Sequence, residues 1–144
     1  MSIEHGIDPA NPFDYPQPIW SRFERCVGEA AERAGRFADG TPGVAEGRAG
    51  TPAARSVLEL QLRFDGERVA DARFRAYGCP SSIAVGSWIA DWSIGRSASE
   101  LAGLNARQLR EVLEIPEDRA HCALMGEDAI KALLARRSQS STQT

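Results

Sequence analysis

The chain is poor in the features that most readily assign a protein to a compartment or a chemistry. It has three cysteines, an odd number that makes no disulfide framework. It has two histidines and no Gly-x-Ser-x-Gly motif, so a serine-hydrolase triad lacks support. Its glycines match neither a Walker nor a dinucleotide-binding pattern. No apolar run approaches membrane-spanning length, and the first 20 residues carry acids and four prolines in place of a cationic start and an apolar run, so no secretory signal is expected. Neither sign of charge dominates: 17 basic residues face 20 acidic ones for a net charge of -3, and the basic residues are scattered, which argues against a nucleic-acid surface. These absences lead to the expectation of a cytoplasmic protein with no membrane or nucleic-acid partner. Its thiols are better suited to be buried side chains, metal ligands or reactive thiolates than disulfide partners.

A chain of 144 residues is long enough to bury a core without disulfides or a metal. Residues 1–18, punctuated by proline, read as an extended or mobile lead-in, residues 19–137 as a single domain, and residues 138–144 as a polar tail. Residues 19–33 read as a helix with Trp20, Phe23 and Val27 on one face. Residues 35–56 contain five glycines and two prolines and read as a long loop. Residues 57–64 alternate strictly, with Leu58, Leu60, Leu62 and Phe64 on one face, which is the pattern of a half-buried strand. Asp65-Gly66 reads as a hairpin turn into a second strand over 68–77, with Ala70, Ala72, Phe74 and Ala76 inward. Pro80 opens a helix carrying a Val85, Trp88, Ile89, Trp92 stripe, and Gly95 stops it. Ser97 with Glu100, and Asn105 with Gln108, are capping signals for two further helices, the second ended by Pro116. A last helix over 119–137 aligns Cys122, Met125, Ala129, Ile130 and Leu133. The order predicts an α+β domain in which helices cover one face of a small antiparallel sheet.

Cys79 falls at the N-cap of the Pro80 helix, where free backbone N–H groups and the positive dipole end favour a thiolate. The alternative is a small buried thiol at a tight turn. His121-Cys122 is the second candidate. Adjacent helical side chains diverge by about 100°, so both reach one point only if the helix begins there. Cys122 also continues the apolar stripe and serves equally as a core residue. Cys26 lies off its helix's apolar face and reads as structural, and His5 has no evident role.

The run DARFRAYGCPSSIAVGSWIADWSIGRSASEL, followed by HCALMGEDAIKALL, resembles the IscU/NifU-type iron-sulfur cluster assembly scaffolds, which share the SufE/NifU-like fold. The resemblance covers about residues 55 to 135 and rests on two separated motifs in the same order. It implies a site in which Cys79, His121 and Cys122 act as cluster or metal ligands, with Cys79 as a sulfur acceptor. The cargo it implies is a transient [2Fe-2S] cluster, or a zinc or iron ion. The partners it implies are a cysteine desulfurase and apoproteins that receive the cluster, and the protein would be a scaffold or sulfur carrier, not an enzyme. Thiolates and an imidazole suit iron and zinc.

The family's segment resembling G-x-P-x-C-G-D is GTPAARS here. Ala54 takes the place of the first ligand cysteine, Arg55 of the glycine and Ser56 of the aspartate. Cys79, His121 and Cys122 make three ligands where a closed tetrahedral site or a [2Fe-2S] cluster on one chain needs four. The fourth would come from water, Ser56, another chain or a partner. The family's L-P-P-V-K stretch, read by an Hsp70-type chaperone, is Ile115-Pro116-Glu117-Asp118-Arg119, so that partner is not expected. Three functions follow: a cluster scaffold, a SufE-like persulfide acceptor for a desulfurase, or a non-catalytic homologue that regulates one.

Overall fold

The alternation of leucine with polar residues makes residues 56–65 the centre of the sheet. In the computed structural model, which describes residues 11, 13–27, 33–51, 53 and 55–142, strand β2 (Ser56–Asp65) lies between β1 (Val44–Thr51) and β3 (Arg68–Tyr77), antiparallel to both. Leu58, Leu60 and Leu62 are fully buried. Each such side chain contributes about 2 kcal/mol of apolar burial. The helices are α1 (Gln17–Val27), α2 (Pro80–Ser93), α3 (Ala98–Leu101), α4 (Ala106–Leu113) and α5 (Ala120–Thr142), with a short 3₁₀ turn at Glu117–Arg119. α5 lies on β1 and β2, α2 lies on β2 and β3, and α1 packs on α2. This is the expected α+β arrangement. Among the described residues no helix is long and apolar enough to cross a membrane.

The segment read as a long loop contains strand β1, which pairs with β2 from Val44↔Arg63 to Thr51↔Ser56. Its inward residues are Ala45, Gly47 and Ala49, too small to print an alternating apolar signal. Their smallness has a packing reason: a Cβ on Gly47 would sit 2.3 Å from the Ala129 carbonyl oxygen and 2.5 Å from the Leu133 nitrogen. β1 is therefore a platform on which the backbone of α5 rests directly.

Two further readings are corrected. The two-residue turn is Gly66-Glu67, because Asp65 pairs with Arg68 and Gly66 takes φ +64°. Glycine at the first central position is what a type II′ turn requires. In β3 the pairing shifts between Arg63 and Phe64 of the partner strand, so Val69, not Ala70, points into the core: Val69 is 2% exposed and Ala70 lies outward. The outer edge of β3 is covered by chain. Phe74 N–H donates to the Arg33 carbonyl (2.9 Å), Gly35 N–H to the Phe74 carbonyl (2.8 Å), and Gly95 N–H to the Val69 carbonyl (2.8 Å).

Helix α1 begins at Gln17 and is followed to Val27; residues 28–32 lie outside the described residues, and Arg33 is in a turn. The capping box at Ser97 and Glu100 is present, and the Asn105 side chain accepts from the Gln108 N–H. α4 ends at Leu113, before Pro116, with Glu114 left-handed at its C-cap. α5 continues past Arg137 to Thr142, burying Cys122, Met125, Ala129, Ile130 and Leu133 as the stripe foretold.

Candidate functional site

The site forms where three chain segments meet at one end of the sheet. β3 finishes at Tyr77 and the chain turns through Gly78 (φ +140°) into Cys79, the N-cap of α2, with Pro80 in the first turn. Gly78 is favoured by its positive φ, and the space around it is tight. A Cβ there would lie 3.0 Å from Ser82 Oγ, 3.1 Å from Ser56 Oγ and 3.2 Å from the Arg55 carbonyl oxygen. The β1–β2 turn thus closes directly against the start of α2. From the other side comes the start of α5, which begins at Ala120 and so places His121 and Cys122 in its first turn. That is the condition under which adjacent side chains act at one spot.

Cys79 Sγ lies 3.8 Å from Cys122 Sγ and 3.7 Å from Ser82 Oγ. Ser82 Oγ lies 3.3 Å from Cys122 Sγ, and His121 Nε2 lies 3.6 Å from the same sulfur. Cys122 and Ser82 are fully buried, Cys79 is half-buried and His121 is exposed. The pair therefore has an inner sulfur and an outer one.

Their electrostatics differ accordingly. The hydrogen bond from Cys122 lowers Cys79 most, against the opposing effect of burial, and the backbone amides of Ser82 and Ser81 and the Ser82 hydroxyl lower it further, to about 4. The Cys79 side chain makes no formal capping hydrogen bond. The open amides of the first helical turn still favour its negative form at this distance. Cys122 is raised well above the usual thiol range, first by donating to Cys79 and then by burial. The two opposite shifts share one cause, the contact between the sulfurs, and they favour negative charge on the outer one.

Cys79 and His121 line a cleft of 1530 Å³ together with Cys26, Arg48, Arg55, Ser56, Glu59, Arg75, Tyr77 and Arg119, among others. Arg55 is exposed and held left-handed at φ +57°, and Ser56 is 7% exposed. Ala54 lies outside the described residues, as does His5. Cys79 and Cys122 are brought into contact and His121 reaches Cys122. Among the described residues, however, no group of three or more His, Cys, Asp or Glu side chains is placed to hold a metal ion. The donors are of the soft type that suits iron or zinc, but they are not preset as a cage.

Three residues of the site escape a sequence reading. Ser82 is central to both sulfurs; its position three residues after an N-cap cysteine is the signal that marks it, since the N-cap side chain faces the third helical residue. Cys26, read as structural, lines the same cleft, and burial raises its thiol. Tyr15 belongs to the lead-in, yet Asn11 anchors it by accepting from the Tyr15 N–H (3.0 Å) and donating to the Tyr15 carbonyl (2.8 Å), and its ring stacks on Trp20 at 5.8 Å. Burial raises its phenol, the charge of Cys79 raises it further, and Arg119 opposes both.

The family model for the NifU-like N-terminal domain matches residues 29–142. The chain belongs to this NifU-like family. It is 37% identical over 108 residues to the iron-sulfur cluster assembly scaffold protein IscU of Escherichia coli K12, an alignment covering 74% of this chain and 84% of that protein. It is 41% identical over 93 residues to the protein of the same name in Haemophilus influenzae, covering 64% and 74%. Two solved structures share the fold. A candidate scaffold protein for the SUF system from Fervidobacterium islandicum superposes with TM-score 0.65 at 14% identity, covering 83% of this chain and 96% of that one. A NifU-like N-terminal domain from Brucella abortus superposes with TM-score 0.57 at 19% identity, covering 89% and 94%. The NifU-like match takes in β1 through α5, including both site cysteines, and leaves out Tyr15 and Cys26.

Proposed function

We propose that this NifU-like protein is an iron-sulfur cluster assembly scaffold that takes sulfur and iron at the Cys79–Cys122 corner, builds a [2Fe-2S] cluster as cargo and passes it on. The supporting observation is the meeting of two sulfurs 3.8 Å apart, with an imidazole 3.6 Å from the inner one, at the wall of an open cleft. Cys79, Cys122 and His121 are the residues that would hold the cargo. They make three donors of a set of four, and the fourth position falls to water, Ser56 or a partner. The sulfur source in this reading is a cysteine desulfurase and the recipients are apoproteins, all in the cytoplasm. The protein contributes binding and a nucleophilic thiolate and is not itself an enzyme. Anaerobic incubation with ferrous iron and sulfide is expected to give visible charge-transfer absorption that is lost in Cys79→Ala. A wild type that gains neither colour nor iron overturns the reading.

A second reading, a SufE-like persulfide acceptor, is favoured by one specific observation: Arg55 and Ser56 line the same cleft as Cys79, at positions where the family pattern has a glycine and an aspartate. A cation there disfavours a bound metal and favours an anionic sulfur. With a desulfurase and cysteine but no iron, this reading expects the mass of one sulfur atom on Cys79. A cluster that forms with no persulfide on any cysteine speaks against it.

A further inference from the structure

The contact between Cys79 and Cys122 allows a reaction that neither cluster holding nor sulfur acceptance requires. The two sulfurs come from the first turns of different helices, 43 residues apart in sequence, and already touch at 3.8 Å. A disulfide needs them to close to about 2.05 Å. Cys79 sits on the Gly78–Pro80 turn at the cleft wall, half-buried, in front of the fully buried Cys122. Cys122 has no route to solvent of its own, so its reaction partner is the sulfur in front of it.

We propose that Cys122 is the resolving thiol for sulfur carried on Cys79, so that the protein discharges sulfide by itself and is left with a Cys79–Cys122 disulfide. The proposal rests on Cys79 being a sulfur acceptor. The starting species is a persulfide, Cys79 Sγ–S⁻. The Cys122 sulfur attacks Cys79 Sγ; the Cys79 Sγ–Cys122 Sγ bond forms and the bond from Cys79 Sγ to the outer sulfur breaks. The outer sulfur departs with that electron pair. The proton of Cys122 passes to the His121 ring 3.6 Å away and from there to the leaving sulfur, which emerges as hydrosulfide. One persulfide and one thiol become one disulfide and one hydrosulfide, with no other reactant. Ser82 Oγ, 3.3 Å from Cys122 Sγ and 3.7 Å from Cys79 Sγ, donates to whichever sulfur bears charge along the way. Return to the dithiol form requires an external dithiol reductant, by thiol–disulfide exchange.

The test uses full-length, reduced, metal-free protein under anaerobic conditions, treated with a stoichiometric inorganic polysulfide and no reductant, then alkylated and mapped by peptide mass spectrometry. The wild type is expected to show a Cys79–Cys122 disulfide, with Cys26 alkylated and hydrosulfide released. In Cys122→Ser the extra sulfur stays on Cys79, and hydrosulfide release falls by about tenfold or more. Cys122→Ala, checked for a native circular dichroism spectrum, gives the same result if the serine variant folds poorly. Persulfide that persists on wild-type Cys79, or moves to Cys122 without a disulfide, overturns the proposal, as does unchanged release from Cys122→Ser. If Cys79 takes up no sulfur in any variant, the acceptor reading fails and the proposal with it; persulfide retained in the wild type removes this proposal alone.

Discussion

The two walls of the cleft follow opposite rules. One is made by the N-termini of α2 and α5, whose positions are fixed by buried faces: Val85, Ile89, Met125, Ile130 and Leu133 hold these helices on the sheet and on each other. That wall carries Cys79, Ser82, His121 and Cys122, and its two sulfurs are in contact. The facing wall is the β1–β2 turn, whose Arg55 is exposed and left-handed, and whose Ser56 hydroxyl and Arg55 carbonyl close against Gly78. A wall built from helix starts can change its residues only at a cost to the core. A wall built from a turn can exchange ligands for other groups while the fold persists.

The comparison breaks most completely if the walls are pushed apart. Gly47→Val places side-chain atoms inside the backbone of α5. It is expected to destabilise the protein by about 3 kcal/mol or more, read as a fall in the urea midpoint at unchanged slope. Next in size is the restoration of the facing wall. The triple change Ala54→Cys, Arg55→Gly, Ser56→Asp supplies two further ligands and removes a cation, so zinc affinity, measured by competition with a chromophoric chelator, is expected to rise by about tenfold or more.

A pH profile sharpens the contrast within the sulfur wall. Cys79 is lowered to about 4, so its thiolate is fully formed at neutral pH, and its alkylation rate should stay flat between about pH 6 and 9 and fall only as the medium approaches its own value. Cys26 is raised, so its alkylation should climb steeply over the same window. Cys122→Ala removes the largest cause of the lowering and should move the Cys79 profile toward alkaline pH. The smallest effect expected is on the turn itself: Arg55→Gly relieves a left-handed non-glycine residue and should stabilise the protein by about 1 kcal/mol, visible as a small rise in thermal midpoint.

Strong periodicity made most of this molecule legible in its sequence. The alternation of β2, the stripe of α5 and the caps at Ser97 and Asn105 each carry a large local signal, and the structure has all of them. What stayed hidden lacked such a signal. β1 is a strand whose inward residues had to be alanine and glycine because a helix backbone lies on them, so packing erased the pattern that would have announced it. The shift that points Val69 rather than Ala70 inward depends on pairing with β2, which no single-strand pattern contains. Cys79, His121 and Cys122, which lie together in the structure, are marked in the sequence by helix-start chemistry and by the family resemblance. Ser82 at the sulfurs, Cys26 in the cleft and Tyr15 within the electrostatic reach of Cys79 are not, because their places come from the packing of α1, α2 and the Asn11 turn, and not from local sequence.

The central claim is that sulfur is handled on the α2–α5 wall and begins at Cys79. The direct measurement is the fate of isotopically labelled sulfur supplied from cysteine by a cysteine desulfurase, with ferrous iron present, followed in wild type and Cys79→Ser. The account predicts labelled sulfur on the wild-type protein, as persulfide or as acid-labile sulfide with iron, and its loss in Cys79→Ser. Label absent from the wild type, or equal in the variant, would contradict it.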